Sequence, residues 1–169
     1  MKLVITIQHP AHVHFYRHTI AQLNSRGHDI IVFTLDRPMA LALLEAYGIE
    51  YEVLTGRFDS PAEMVINQLR YEINLVRKLR RLDPDCVTGI GGLAMSHAGA
   101  LTDTESVLFT DTEHATLSNT LAFPAADRIY TPDCYEDDIG PKQHRYAVYH
   151  ELAYLHPTRF EPHPHVLKA

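Results

Sequence analysis

The stretch KLVITIQHPAHVHF, residues 2–15, decides the fold. Its first six residues, KLVITI, are apolar and β-branched almost throughout, with no polar alternation. Such a run suits a strand buried on both faces, which is the situation of a strand inside a parallel sheet. The chain then leaves the sheet through HPAHVHF (9–15), read as a loop. From Phe15 to Arg26 the residues Phe15, Ile20 and Leu23 recur at helical spacing, and Gly27 closes the segment as a C-terminal cap. The unit is strand, loop, helix.

The unit repeats down the chain. IIVFTL (30–35) reads as a strand, MALALLEAYG (39–48) as a helix and YEVL (51–54) as a short strand. Ser60-Pro61-Ala62-Glu63 combines an N-cap serine, a proline at the first helical position and a glutamate placed for a capping box. It opens the longest helix, with Val65, Leu69, Ile73, Val76 and Leu79 on one face, and Asp83-Pro84 stops it. Then come a strand at 86–90, a small-residue helix at 93–102, strands at 106–110 and 128–131, and a helix over 115–121 between them. Strands alternating with helices predict right-handed crossovers. The expected fold is α/β: a single Rossmann-like, doubly wound parallel sheet of six or seven strands in three α/β/α layers. Residues 1–155 form the domain and the Pro- and His-rich 156–169 a linker or tail.

Composition narrows the function classes. The 169 residues carry 15 Lys and Arg against 21 Asp and Glu, a formal charge of -6, which argues against a broad nucleic-acid surface. Cys86 and Cys134 have no metal-ligand spacing, so reduced thiols in a cytoplasmic protein are expected. MKLVITI is too short for a signal peptide or a membrane span. Arg77, Lys78, Arg80 and Arg81 in the last turns of the long helix read as a solvated face that complements the helix dipole; the other reading is peripheral contact with an anionic membrane surface. Twelve histidines and no tryptophan stand out.

In an open parallel sheet ligands bind beyond the carboxyl ends of the strands. Three segments should meet there. The first, HPAHVHF, has no glycine, which disfavours a dinucleotide site. His9, Pro10, His12 and His14 lie in it; its imidazoles either meet a ligand oxygen or move a proton, or else cap the helix. A zinc site would need Asp111 and Glu113 to approach, and no metal is expected. The second, Gly91-Gly92, offers backbone N–H groups at a helix start, as an anion seat or simply a tight turn. The third, Thr110-Asp111-Thr112-Glu113-His114 with Asn119 downstream, gathers two carboxylates and an imidazole able to shift one another's pKa values. Its structural reading is a helix cap with solvated charges.

The order of these pieces resembles a known family. Pro10 with His12-Val13-His14-Phe15, Ser25-Arg26-Gly27-His28-Asp29, Tyr47-Gly48-Ile49, Pro84-Asp85 before a strand ending in Gly91-Gly92, and Asp111-Thr112-Glu113-His114-Ala115 with Asn119 and Pro124-x-x-Asp127 look like domain-of-unknown-function family 354. That family is similar to the two-domain GT-B glycosyltransferases and to UDP-N-acetylglucosamine 2-epimerases. The likeness runs from about residue 2 to about residue 157.

The resemblance implies the acceptor-side, N-terminal half of a GT-B fold, with a nucleotide sugar and an acceptor, lipid-linked acceptors included, as substrates and no further cofactor. It implies His14 or His12 as base toward an acceptor hydroxyl, Glu113 and Asp111 as positioning or acid-base groups, and His9, Pro10, Gly91, Gly92, Thr110, His114 and Asn119 as binding residues. Glu113 matches the glutamate of the epimerases' His-Val-Glu-Ala-Gly stretch, while His114 replaces the small residue after it. The first-loop phosphate-binding glycines of the peptidoglycan N-acetylglucosaminyltransferase have no counterpart. The nucleotide sugar is held mainly by the second GT-B domain, so the chain alone is expected to be inactive without a C-terminal partner domain. The rival expectations are an epimerase-like enzyme half and a non-enzymatic module that dimerises through its cleft.

Overall fold

Alternation within the first strand sets both cores. In β1 (Lys2–Ile7), Leu3, Ile5 and Ile7 point to one face of the sheet, and Val4 to the other. The computed structural model describes residues 1–56 and 61–162, with only the backbone of 61–64. The other elements are α1 (Pro10–Ser25), β2 (Asp29–Leu35), α2 (Pro38–Ala46), β3 (Glu52–Thr55), α3 (Pro61–Leu82), β4 (Cys86–Ile90), α4 (Leu93–Thr102), β5 (Glu105–Phe109), α5 (Thr116–Ala122), β6 (Arg128–Pro132), β7 (Gln143–Tyr146) and α6 (Leu152–Leu155). The seven strands form one sheet, ordered β3-β2-β1-β4-β5-β6-β7, and each pair is parallel.

Helices cover both faces, as a parallel sheet requires. Val13, Tyr16 and Ile20 of α1 and Ala40 and Leu44 of α2 pack on Leu3, Ile5, Ile7 and Val32. Across the sheet, Tyr71, Leu75 and Leu79 of α3, Ala94, Met95 and Ala98 of α4, and Ala122 at the end of α5 pack on Val4, Phe33, Val87, Leu108 and Ile129. Gly99 lets α4 approach closely: a Cβ there would stand 2.9 Å from Ser106 Cβ and 3.0 Å from the Thr104 carbonyl oxygen. Asp127 fastens the start of β5, with Oδ2 accepting from the N–H and the hydroxyl of Ser106, each at 2.8 Å.

Three expectations change. HPAHVHF is not a loop: α1 begins at Pro10, five residues earlier than the apolar spacing suggested. Of the stripe expected on α3, Leu79 is buried and Val76 packs on the core, but Val65, Leu69 and Ile73 are exposed; the buried series is Asn67, Tyr71, Leu75 and Leu79, at strict spacings of four. A tyrosine and an asparagine inward hid that series from a reading based on aliphatic residues. Finally, β7 and α6 were not singled out, because QHRY has no apolar run. The capping box at 60–63 lies outside the described residues and side chains.

Candidate active site

Strand order reverses around β1: β2 lies on one side of it and β4 on the other. The segments leaving β1, β4 and β5 therefore emerge side by side at one end of the sheet, the usual seat of a ligand in this architecture.

The first segment explains its histidines. His9 is the N-cap of α1, in extended backbone, and its Nδ1 accepts from the Ala11 N–H at 3.2 Å. Pro10 occupies the first helical position, where no N–H is needed. His12 reaches back, its Nδ1 accepting from the Gln8 N–H at 3.3 Å. Two imidazoles thus do what Ser and Glu do in a capping box. A backbone N–H can only donate, so both Nδ1 atoms are acceptors and the neutral rings carry their proton on Nε2. Burial, followed by His9 and His150, lowers the His12 pKa to about 4 against the pull of Asp111. His12 is therefore neutral at pH 7, its basic nitrogen already engaged and its Nε2–H available as a donor.

His14, two positions along the helix, faces elsewhere. Its Nδ1 lies 3.1 Å from the Tyr47 hydroxyl, and its ring packs 5.5 Å from that of Tyr154. Burial, then Arg17, lowers its pKa, with no contribution from the acidic segment. The two histidines thus have different surroundings, and His12 is the one coupled to Asp111.

Asp111 is exposed and accepts from the Thr112 hydroxyl at 3.0 Å. Burial dominates the pKa shifts of His12, His150, Tyr146 and Tyr154, and the Asp111 charge opposes the lowering at the two histidines and adds to the raising at the two tyrosines. Its neighbours hold the segment in place. Thr110 is buried and its N–H donates to the Tyr130 carbonyl at 3.1 Å. Buried Asn119 donates from Nδ2 to the Thr112 carbonyl at 2.9 Å, and Glu113 Oε1 accepts the Glu136 N–H at 3.0 Å. His114 is exposed. At the glycine pair, Gly91 adopts φ +57° and gives its N–H to the Phe109 carbonyl at 2.9 Å, so that donor is spent within the sheet. Gly92 is the N-cap of α4, and a Cβ there would sit 3.0 Å from Met95 Cε.

Sequence reading missed His150 and Tyr146. His150 is 7% exposed, stacks on Phe15 at 4.1 Å and 13°, and its Nδ1 lies 2.7 Å from the Tyr146 hydroxyl. Its Nε2 is buried without a hydrogen-bond partner in the structure. The available signal was the density of rings in HRYAVYHELAYLH (144–156), which no apolar periodicity registers. Among the described residues no three His, Cys, Asp or Glu side chains are placed to hold a metal ion, and no helix is long and apolar enough to cross a membrane.

The fold has solved relatives. MurG of Acinetobacter baumannii matches with a TM-score of 0.66 at 15% identity over 86% of this chain and 44% of its own. The UDP-GlcNAc 2-epimerase of Neisseria meningitidis, solved with UDP-GlcNAc, matches with a TM-score of 0.64 at 13% identity over 78% of this chain and 40% of its own. The spinosyn rhamnosyltransferase SpnG, complexed with thymidine diphosphate, matches with a TM-score of 0.59 at 16% identity over 78% and 44%. The chain thus spans less than half the length of each, and the likeness is one of fold: a GT-B type of Rossmann-like domain. No curated protein sequence is significantly similar to it. The family described as "Protein of unknown function (DUF354)" matches residues 1–144, and the chain belongs to that family.

Proposed function

We propose that this chain is the acceptor-side half of an enzyme that transfers a sugar from a nucleotide sugar to an acceptor hydroxyl, with residues 1–155 as the domain and 156–169 as its link to a donor-binding unit. What supports this reading is that the segments after β1 and β5, which carry His12 and Asp111, leave the sheet side by side at the rim where strand order reverses. In the proposed reaction the acceptor oxygen lies against His12 Nε2–H, and Asp111 takes the hydroxyl proton as the oxygen attacks the anomeric carbon. The bond from that carbon to the nucleoside diphosphate breaks, and the diphosphate leaves with the bonding pair. Glu113 and Asn119 position the Asp111 segment through Glu136 and Thr112, and Thr110 ties its start to β6. His9 adds a second Nε2–H donor, Pro10 fixes the first turn, and Gly91-Gly92 shape the anion's side of the cleft. His14 fits a base only for an acceptor reaching between Tyr47 and Tyr154.

The fold likeness to the 2-epimerase is as good as that to the transferases, so the chemistry is separated by the need for an acceptor. Given UDP- and TDP-sugars, the chain alone is expected to leave them unchanged, because positioning of donor and acceptor supplies about 7–11 kcal/mol of a transfer barrier. With a donor-binding unit and an acceptor, nucleoside diphosphate release is expected. Conversion to a C2 epimer with no acceptor present would contradict transfer and favour the epimerase reading.

A further inference from the structure

Two cavities meet at Arg159, on the outer side of α1. The smaller, of about 410 Å³, has an apolar wall of Phe15, Phe109, Val148, Tyr149 and Leu152 and is bordered at one end by His156, Thr158 and Arg159. The larger, of about 760 Å³, is lined by Arg17, His18 and Tyr47 on one side and again by Arg159. Phe15 and His18 are one helical turn apart on α1, so the cavities run along the same stretch of that helix.

Arg17 and Arg159 are held at the junction without an ion pair among the described residues. Arg17 donates from Nε to His18 Nε2 at 3.0 Å and lies 4.8 Å over the Tyr47 ring. Arg159 donates from Nη1 to the Ala153 carbonyl at 2.7 Å. Both arginines line the larger cavity together with His18. Among the described residues neither forms an ion pair, whereas Lys78 and Arg128 both do. Asp29 and Glu50 line the larger cavity too but pair with neither arginine. Two guanidinium groups with no ion pair among the described residues, lining one cavity, have the charge and the donor geometry that suit a phosphate.

We propose that the two cavities form one binding site for a phosphate monoester of an apolar alcohol, the apolar body lying against Phe15, Phe109 and Leu152 and the phosphate between Arg17 and Arg159. It stands as a binding site independent of the sugar-transfer reading above, because the alcohol oxygen of such an ester is already bonded to phosphorus and offers Asp111 no hydroxyl proton. The donors of the guanidinium fork match phosphate oxygens, and the aromatic wall removes the chain or ring from water.

Calorimetric titration of the chain with octyl phosphate below its micellar concentration, 1-octanol and inorganic phosphate, at one ionic strength, tests the site. Octyl phosphate is expected to bind about tenfold or more tightly than either of the others, the scale of one charge-assisted hydrogen-bonding group. Arg159→Gln and Arg17→Gln should each weaken octyl phosphate about tenfold. Val148→Glu, at a half-exposed position on the apolar wall, should weaken octyl phosphate and leave inorganic phosphate unchanged. Unchanged circular dichroism would confirm that each variant is folded. Octanol or inorganic phosphate binding as tightly as octyl phosphate, or no binding of octyl phosphate, would overturn the proposal.

Discussion

Replacing Asp111 by asparagine is expected to slow sugar transfer by the complete enzyme about 10²- to 10⁴-fold, the usual worth of a positioned proton acceptor. At about 1.36 kcal/mol per decade this is a loss of roughly 3–5 kcal/mol of barrier lowering. Stability should hardly change. Asp111 is exposed, and its hydrogen bond among the described residues comes from its own neighbour Thr112, so the cost should fall within about 0.5 kcal/mol. A purely structural carboxylate would show the reverse, lost stability with a retained rate. His12→Gln tests the partner. Glutamine can still donate to an acceptor oxygen but cannot reproduce the cap at the Gln8 N–H in the same geometry, so a smaller rate loss accompanied by a small loss of stability is expected.

The largest expected effect on stability is at Gly99. A valine there would drive its Cβ into Ser106 Cβ and the Thr104 carbonyl oxygen, which stand 2.9 and 3.0 Å from that position. The carbonyl belongs to the backbone and cannot rotate away, so α4 must move off β5. We expect a loss of about 3 kcal/mol or more, the upper end for overpacking a tight core. For a domain of this size that is roughly 6–12 °C in melting temperature. Ala100→Val is the control, one residue along the same helix but exposed. It introduces the same β-branched residue and should cost only about 0.5 kcal/mol of helix propensity. Equal losses at the two positions would mean that propensity, and not the approach of α4 to β5, governs this part of the fold.

The frame of the fold was readable because its signals are local and apolar. KLVITI, IIVFTL and CVTGI have no polar alternation, and only the middle of a parallel sheet accommodates that. Failures came where polar side chains do structural work. An imidazole is not among the usual N-capping residues, so HPAH read as a loop, although Pro10 at the first helical position was a sufficient hint. Tyr71 and Asn67 carry the inward face of α3, and counting only aliphatic residues selected the exposed stripe beside them. Edge strand β7 is short and polar, which suits an exposed edge and removes the pattern by which strands are recognised.

The site was legible in part for the same reason. That the segments after β1, β4 and β5 share a rim follows from topology, and topology follows from alternating elements. The split between His12 and His14 does not: a two-residue spacing turns them to different sides of a helix but would align them on a strand. Nor could sequence show that Gly91 spends its N–H on Phe109, or that His150, about 140 residues downstream of His9, stacks on Phe15. Those contacts depend on how β5 and the chain after β7 fold back toward α1.

His12 is a neutral donor held by the Gln8 N–H, with the Asp111 charge pulling its lowered pKa upward. Titration of the histidine ring nitrogens by ¹⁵N NMR tests it directly in the intact chain. The account expects His12 to carry its proton on Nε2, to titrate near 4 and to shift further down in Asp111→Asn. A His12 that titrates near the ordinary 6.5, with its proton on Nδ1 and no response to Asp111→Asn, would contradict it.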